Sequence, residues 1–182
     1  IFLEEKSGGM LFAAREGKRT ILLEIQALTL GSDYSNPRRI ANGVEINRLH
    51  QILAIIEKTL GISLAKTDIY LNVVGGINIK DPALDLAIAL AIYNSAMGQS
   101  NDRDIVALGE LGLSGEIRSV TDIEARIREC SKLGYKEIII PESSFRKLQN
   151  QEALGAKIIS AKNINSLVKN PSSKTKTQVT SH

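Results

Sequence analysis

Cysteine occurs once in these 182 residues, as Cys130, and tryptophan does not occur at all. One cysteine cannot close an intrachain disulfide. Nor can it supply a zinc site built from four cysteines, or from paired cysteines and histidines. A lone thiol fits a reducing compartment. Histidine is nearly as scarce: His182 is terminal, and His50 falls inside a helical pattern beside an apolar position, where solvent exposure is expected. Nothing in the sequence therefore points to a Ser–His–Asp triad. Aromatic residues make up only 4% of the chain, against 43% hydrophobic residues overall. So aliphatic a composition suits an α/β layered fold better than a β-sandwich. No secretory leader is recognisable, and the longest strongly apolar run, 86–96, is too short to span a bilayer. The phosphate-binding pattern GxxxxGK[ST] is absent, and Gly75-Gly76 lead into Ile77-Asn78-Ile79, a strand-like run rather than a helix start. An excess of one charge is also missing. Lys and Arg total 23 and Asp and Glu 20, and Lys174 and Lys176 in the acid-free last twelve residues carry two of the three excess positive charges. Global charge gives no argument for nucleic acid; only a local patch could.

What is present is enough for one core of ordinary size. Residues 8–30 read as a hairpin turning at Glu16-Gly17-Lys18. Residues 31–43, with their breakers and the pair Arg38-Arg39, read as an exposed loop. Glu45 to Leu60 reads as a helix, with Ile46, Leu49, Ile52, Leu53, Ile56 and Leu60 on one face, an Asn42/Glu45 capping-box variant at its start and Gly61 as its C-terminal cap. A strand over 69–74 follows. Asp81-Pro82 signals the start of a second helix, apolar nearly all round and so central and buried, in which Asp85 is the one charge, facing a polar pocket or a neighbouring subunit. Two short strands with Gly-rich turns fill 105–120. A third helix runs from about Asp122 to Leu133, opened by a Thr121-x-x-Glu124 capping box. A strand at 136–140, a short helix at 144–149, a strand at 157–160 and a last helix at 163–169 complete the domain. The expected division is one domain over 1–170 and a disordered polar tail over 171–182. The chain opens on Ile1 rather than Met, so a piece of a longer protein is expected.

Two segments, NVVGGINIKDPALDLAIALAIYNSA and GELGLSGEIRSVTDIEARIRECSKLGYKEIIIPES, carry a family likeness. With SNPRRIANGVEINRLHQILAIIEKTLGISL they resemble the C-terminal domain of the bacterial RadA (Sms) recombination proteins and, more distantly, the proteolytic domain of Lon, over about residues 8–165. The resemblance implies the α/β (α+β) sandwich of the Lon proteolytic domain, grouped with ribosomal protein S5 domain 2. Active Lon domains use a Ser–Lys dyad. The serine position falls at Ala83 and the lysine position at Glu124. A methyl group is no nucleophile, and a carboxylate cannot replace a lysine of lowered pKa as its activating base.

By resemblance this domain is therefore a scaffold that contacts single- or double-stranded DNA and builds a homo-oligomeric ring, a hexamer, in an ATP-driven branch-migration protein, with a recombinase as a further partner and no membrane. Its place would be the cytoplasm, at the nucleoid, or an organelle of bacterial origin. ATP and zinc would belong to a RecA-type ATPase and a zinc finger upstream, outside this chain. The DNA-contact candidates are Arg38, Arg39, Arg48, Lys80, Arg118, Arg126, Arg128 and Lys132. Residues 128 and 132 are four apart and share a helix face, whereas residue 126 is rotated off that row. Such contacts would be to phosphates, salt-sensitive and independent of sequence. Two other readings stay open: an active Lon-class serine peptidase, and an oligomerisation module without DNA contact.

Overall fold

The computed structural model describes residues 8–75, 78–99, 104–149 and 154–168. Its centre is a seven-stranded sheet of mixed direction. β1 (Gly8–Glu16) and β2 (Arg19–Gly31) form the expected hairpin, in unbroken register from Gly8 opposite Ala27 to Glu16 opposite Arg19. Gly17, at φ +59°, turns the chain between them. β3 (Arg39–Asn42) and β4 (Thr67–Val73) extend the sheet on the β2 side, β4 antiparallel to β2 and β3 parallel to β4. On the other side β5 (Ile105–Ala107), β8 (Glu137–Pro141) and β9 (Lys157–Ala161) add in parallel, giving the order β3-β4-β2-β1-β5-β8-β9. β6 (Glu110–Leu111) and β7 (Ile117–Arg118) make a separate small hairpin.

β1 is buried on both faces, since the consecutive residues Phe12, Ala13 and Ala14 are all within 2% of full burial. Alternation of apolar and polar residues disappears in such a strand because neither face meets water. In β2 the alternation returns: Leu23, Ile25 and Ala27 are buried while Glu24 and Gln26 are exposed.

Helix α2 (Asp85–Ala96) lies across β1 and β2, every residue from Leu86 to Tyr93 buried, as its all-round apolar sequence predicts. Helix α1 (Ile46–Leu60) packs against α2, with Leu49, Ile52, Leu53, Ile55, Ile56 and Leu60 buried. Each such side chain contributes roughly 1.5–3 kcal/mol by leaving water. Gly61 ends α1 in the left-handed region, at φ +67°, as expected of a C-terminal cap. Helix α3 (Ile123–Lys132) contacts β1 and β2, and α4 (Glu142–Phe145) is a single turn beside β8. No helix among the described residues is long and apolar enough to cross a membrane.

Several local expectations are corrected. The stretch 31–43 is not loop throughout: its end pairs with β4 as the edge strand β3, because Arg39 to Asn42 lie in register with Ile69 to Asn72. Ile46 lies off the α1 core stripe and is 41% exposed. Glu45 is the α1 N-cap itself, in extended conformation and without a side-chain cap, so the Asn42/Glu45 box does not form. The Thr121/Glu124 box does not form either: the cap is Asp122 at φ +56°, a left-handed conformation that Asp tolerates better than most residues. The helix expected at 144–149 is Glu142–Phe145, and that at 163–169 is a 3-10 turn, Ile164–Leu167, capped by Asn163. The tail expected at 171–182 lies outside the described residues.

Candidate functional site

The segment 79–85 enters helix α2, and two arginines hold it. Asp81 sits in extended conformation, and its Oδ1 accepts from the Ala83 N–H at 3.1 Å, the cap its sequence position predicts. Its other oxygen, Oδ2, accepts from Arg126 Nη1 at 2.7 Å. Arg126 also donates to the carbonyls of Ala13 at 3.0 Å and Thr121 at 3.0 Å, lies over the Phe12 ring, and is only 1% exposed. A buried guanidinium needs this many acceptors, because desolvation of an unpaired charge costs several kcal/mol. Arg48 works from α1. It donates to Asp85 Oδ1 at 2.7 Å, to the Asp81 carbonyl at 2.7 Å and to the Ile79 carbonyl at 3.3 Å.

The partner of Asp85 is therefore Arg48, with the Leu111 N–H donating to its second oxygen at 3.1 Å. The polar surroundings expected for Asp85 are present within the chain itself. Burial raises the Asp85 pKa above the usual carboxylate value, against the opposing pull of Arg48.

At the two dyad positions, Ala83 presents a buried methyl group, and Glu124 accepts from the Gln149 N–H at 3.4 Å. Among the described serines, Ser119 pairs with Ser143 at 2.7 Å, Ser95 pairs with Thr29 at 3.0 Å, and Ser144 accepts from the Val120 N–H at 3.0 Å. None of these partners is a lysine. The Cys130 thiol is buried, and its pKa is pushed up to about 12, by burial first and then by the charge of Glu129. Such a thiol is not a thiolate at neutral pH and is a poor nucleophile.

The basic candidates divide by what their donors already hold. Arg126 and Arg48 are held inside the chain, each donating to three internal acceptors, and Arg126 is buried. Arg39, half-buried, donates to the carbonyls of Thr67 and Leu64 and so ties β3 to the start of β4. Arg118 is exposed but paired with Glu116 and Glu110. Arg38 is exposed, with its guanidinium over the Tyr34 ring; a hydrogen bond with Tyr70, ahead of nearby charges, raises its pKa further. Lys80 is exposed between two clefts of about 370 and 340 Å³. Arg128 and Lys132 are exposed on one face of α3.

That α3 face borders a groove of about 890 Å³. Its opposite wall is the β1–β2 turn, which contributes Arg15, Lys18 and Arg19. Sequence reasoning passed over these three. The signal available was their bracketing of the turn glycine, Gly17, at a hairpin tip.

Fold and site together define a mixed α/β domain whose buried arginine–aspartate network stands at the start of its central helix. The chain matches the family model described as subunit ChlI of Mg-chelatase over residues 43–144, more than half its length, and it belongs to that family. Over a longer stretch it is similar to proteins named DNA repair protein RadA, as its motifs suggest. It is 43% identical to the RadA of Halalkalibacterium halodurans over 80% of this chain and 33% of that protein. It is 42% identical to that of Synechocystis over 86% of this chain and 30% of that protein, and 43% identical to that of Bacillus subtilis over 80% and 32%. The chain thus spans about a third of the length of the curated relatives it matches.

Proposed function

We propose that this chain is a non-catalytic, Lon-like scaffold and DNA-contacting domain of a RadA-type, ATP-dependent branch-migration protein in recombinational DNA repair. Residues 1–170 are the domain and 171–182 a polar tail. A zinc finger and a RecA-type ATPase would lie upstream in the whole protein, with zinc and ATP bound there. The residues of this chain do not fit either group, having one cysteine and no GxxxxGK[ST] loop.

The observation that carries the non-catalytic reading is the chemistry at the start of α2. Ala83 has no nucleophilic atom, and the charge beside it is a buried Asp81–Arg126 pair rather than a lysine that can take up a proton. Glu124, the acid at the base position, is engaged with the backbone of Gln149. Similarity to RadA proteins supports the DNA repair role. The exposed cations Arg38, Lys80, Arg128 and Lys132 remain available for phosphates.

The test is incubation of the chain with an unfolded polypeptide. No cleavage above buffer is expected. Cleavage that disappears with a single Ser→Ala change would establish the peptidase reading instead. Ring formation is checked by light scattering at several concentrations. The proposal expects a hexamer-sized species, held by head-to-tail interfaces. A monomer throughout would move ring-building to the parts of the protein outside this chain.

A further inference from the structure

We propose that the groove between the β1–β2 turn and helix α3 is a track for the backbone of duplex DNA, gripped through phosphates and without base contacts. This deepens the DNA-contacting reading above and rests on it.

Five cations line the groove: Arg15, Lys18 and Arg19 from the hairpin tip, Arg128 and Lys132 from one face of α3. Among the described lining residues, Glu129 is the one acid. Lys18, Arg19, Arg128 and Lys132 are exposed, and none of them forms an ion pair among the described residues. In this they differ from Arg48, Arg118 and Arg126, each of which is paired with a carboxylate. Like charges facing one another across a concave surface repel, and a bound anion relieves that repulsion.

The walls are held before any ligand arrives. Arg15 Nη1 donates to the Lys18 carbonyl at 3.2 Å and to Thr20 Oγ1 at 3.1 Å, so it braces the turn that presents Lys18 and Arg19. Its Nε lies 3.7 Å from Asp122 at the start of α3, joining the two walls at one end. On the other wall, Ile127 and Cys130 are fully buried beneath Arg128 and Lys132, and Arg126 anchors the helix to β1. Preset geometry of this kind lowers the ordering cost of binding.

The floor decides between strands. Its apolar residues are Ile21, Ala125 and Leu154, with no Phe, Tyr or Trp among the described lining residues. Single-stranded nucleic acid gains affinity from bases stacking on aromatic rings, and the described lining of this groove has none to offer. What remains is phosphate attraction, which grows with charge density, and duplex DNA carries one charge per ~1.7 Å of axis. The groove therefore favours duplex over single strands and is indifferent to sequence.

The experiment is fluorescence anisotropy of a labelled duplex, and of one of its strands alone, with the full 182-residue chain across a salt series. The wild-type chain should bind the duplex more tightly than the strand at each salt concentration. The pairs Lys18→Glu with Arg19→Glu, and Arg128→Glu with Lys132→Glu, should each weaken duplex binding at least about tenfold. Each should also flatten the slope of log affinity against log salt by about two, near 0.9 per lost phosphate contact. Arg128→Gln with Lys132→Gln, the milder pair, should lie between. A charge-matched control outside the groove lining, Lys58→Glu with Lys66→Glu, should leave the slope unchanged. If the wild-type chain binds duplex and the groove pairs do not alter it, the groove is wrong while the DNA-contacting reading stands. If the control pair lowers the slope as much as the groove pairs, the groove is likewise overturned. Equal affinity for strand and duplex overturns the duplex assignment. If the wild-type chain binds neither at low salt, both readings fall together.

Discussion

Removing the Arg126 side chain would strand the Asp81 carboxylate, because one short hydrogen bond joins two groups that are both withdrawn from water. Breaking such a pair from one side costs about 3–5 kcal/mol. Arg126→Met should lower the urea midpoint accordingly, and Asp81→Asn in the same chain should recover part of the loss, a coupling that a double-mutant cycle reads directly. The sequence held a hint of this burial: residue 126 is rotated off the face shared by 128 and 132, while its partner 45 positions away could not be inferred from spacing. Asp85 has a different signature. Its pKa is raised in the folded chain, so the native state holds a proton over a range where the unfolded state has released it. Stability from this group is full below the unfolded carboxylate value and is lost as pH rises through the folded one. Thermal midpoints of the wild type and Asp85→Asn, compared from neutral pH downward, should shift in favour of the wild type as pH falls. A difference that does not change with pH would refute the assignment.

At the scale of elements, the hairpin, α1, α2 and the buried strands were legible because periodicity and terminal signals agree there: Gly61 closes α1 and Asp81-Pro82 opens α2. The Thr121/Glu124 box fails for a physical reason. A box needs an extended N-cap, and the N-cap of α3 is instead Asp122 in the left-handed region, with no side-chain cap hydrogen bond. Edge strand β3 was hidden because its four residues carry no alternation of their own; its pairing partner β4 defines it. The Gly-rich run between β5 and β7 was readable as turns, but not for what its glycines do. Gly109 donates to the Ala83 carbonyl at 2.9 Å and accepts from the Leu86 N–H at 3.0 Å, stitching the strand end to the start of α2. A Cβ there would meet Ile117 Cγ2 at 2.5 Å. Gly109→Ala should therefore cost about 1–3 kcal/mol by denaturant unfolding, the range for overfilling a packed site. A change within experimental error would show that the contact relaxes freely.

For the whole molecule, the distribution of charge matters more than its sum. A net +3 says little about partners, yet the fold draws five cations from two distant stretches, the hairpin tip and α3, to the walls of one groove. Half of that groove was legible, as the Arg128/Lys132 row on α3. The other half was not, because only the sheet's register against the helix places the turn opposite α3. The same fold commits N–H groups of Arg39, Arg48 and Arg126 to acceptors within the chain, so a count of basic residues overstates the free positive surface. The measurement that bears most directly on the account is the affinity of the unmodified chain for duplex DNA as salt is varied. The account predicts a linear fall of log affinity with log salt, with a slope of several units as several phosphates are released together from their counterions. An affinity that does not depend on salt, or no binding at the lowest salt, would contradict it.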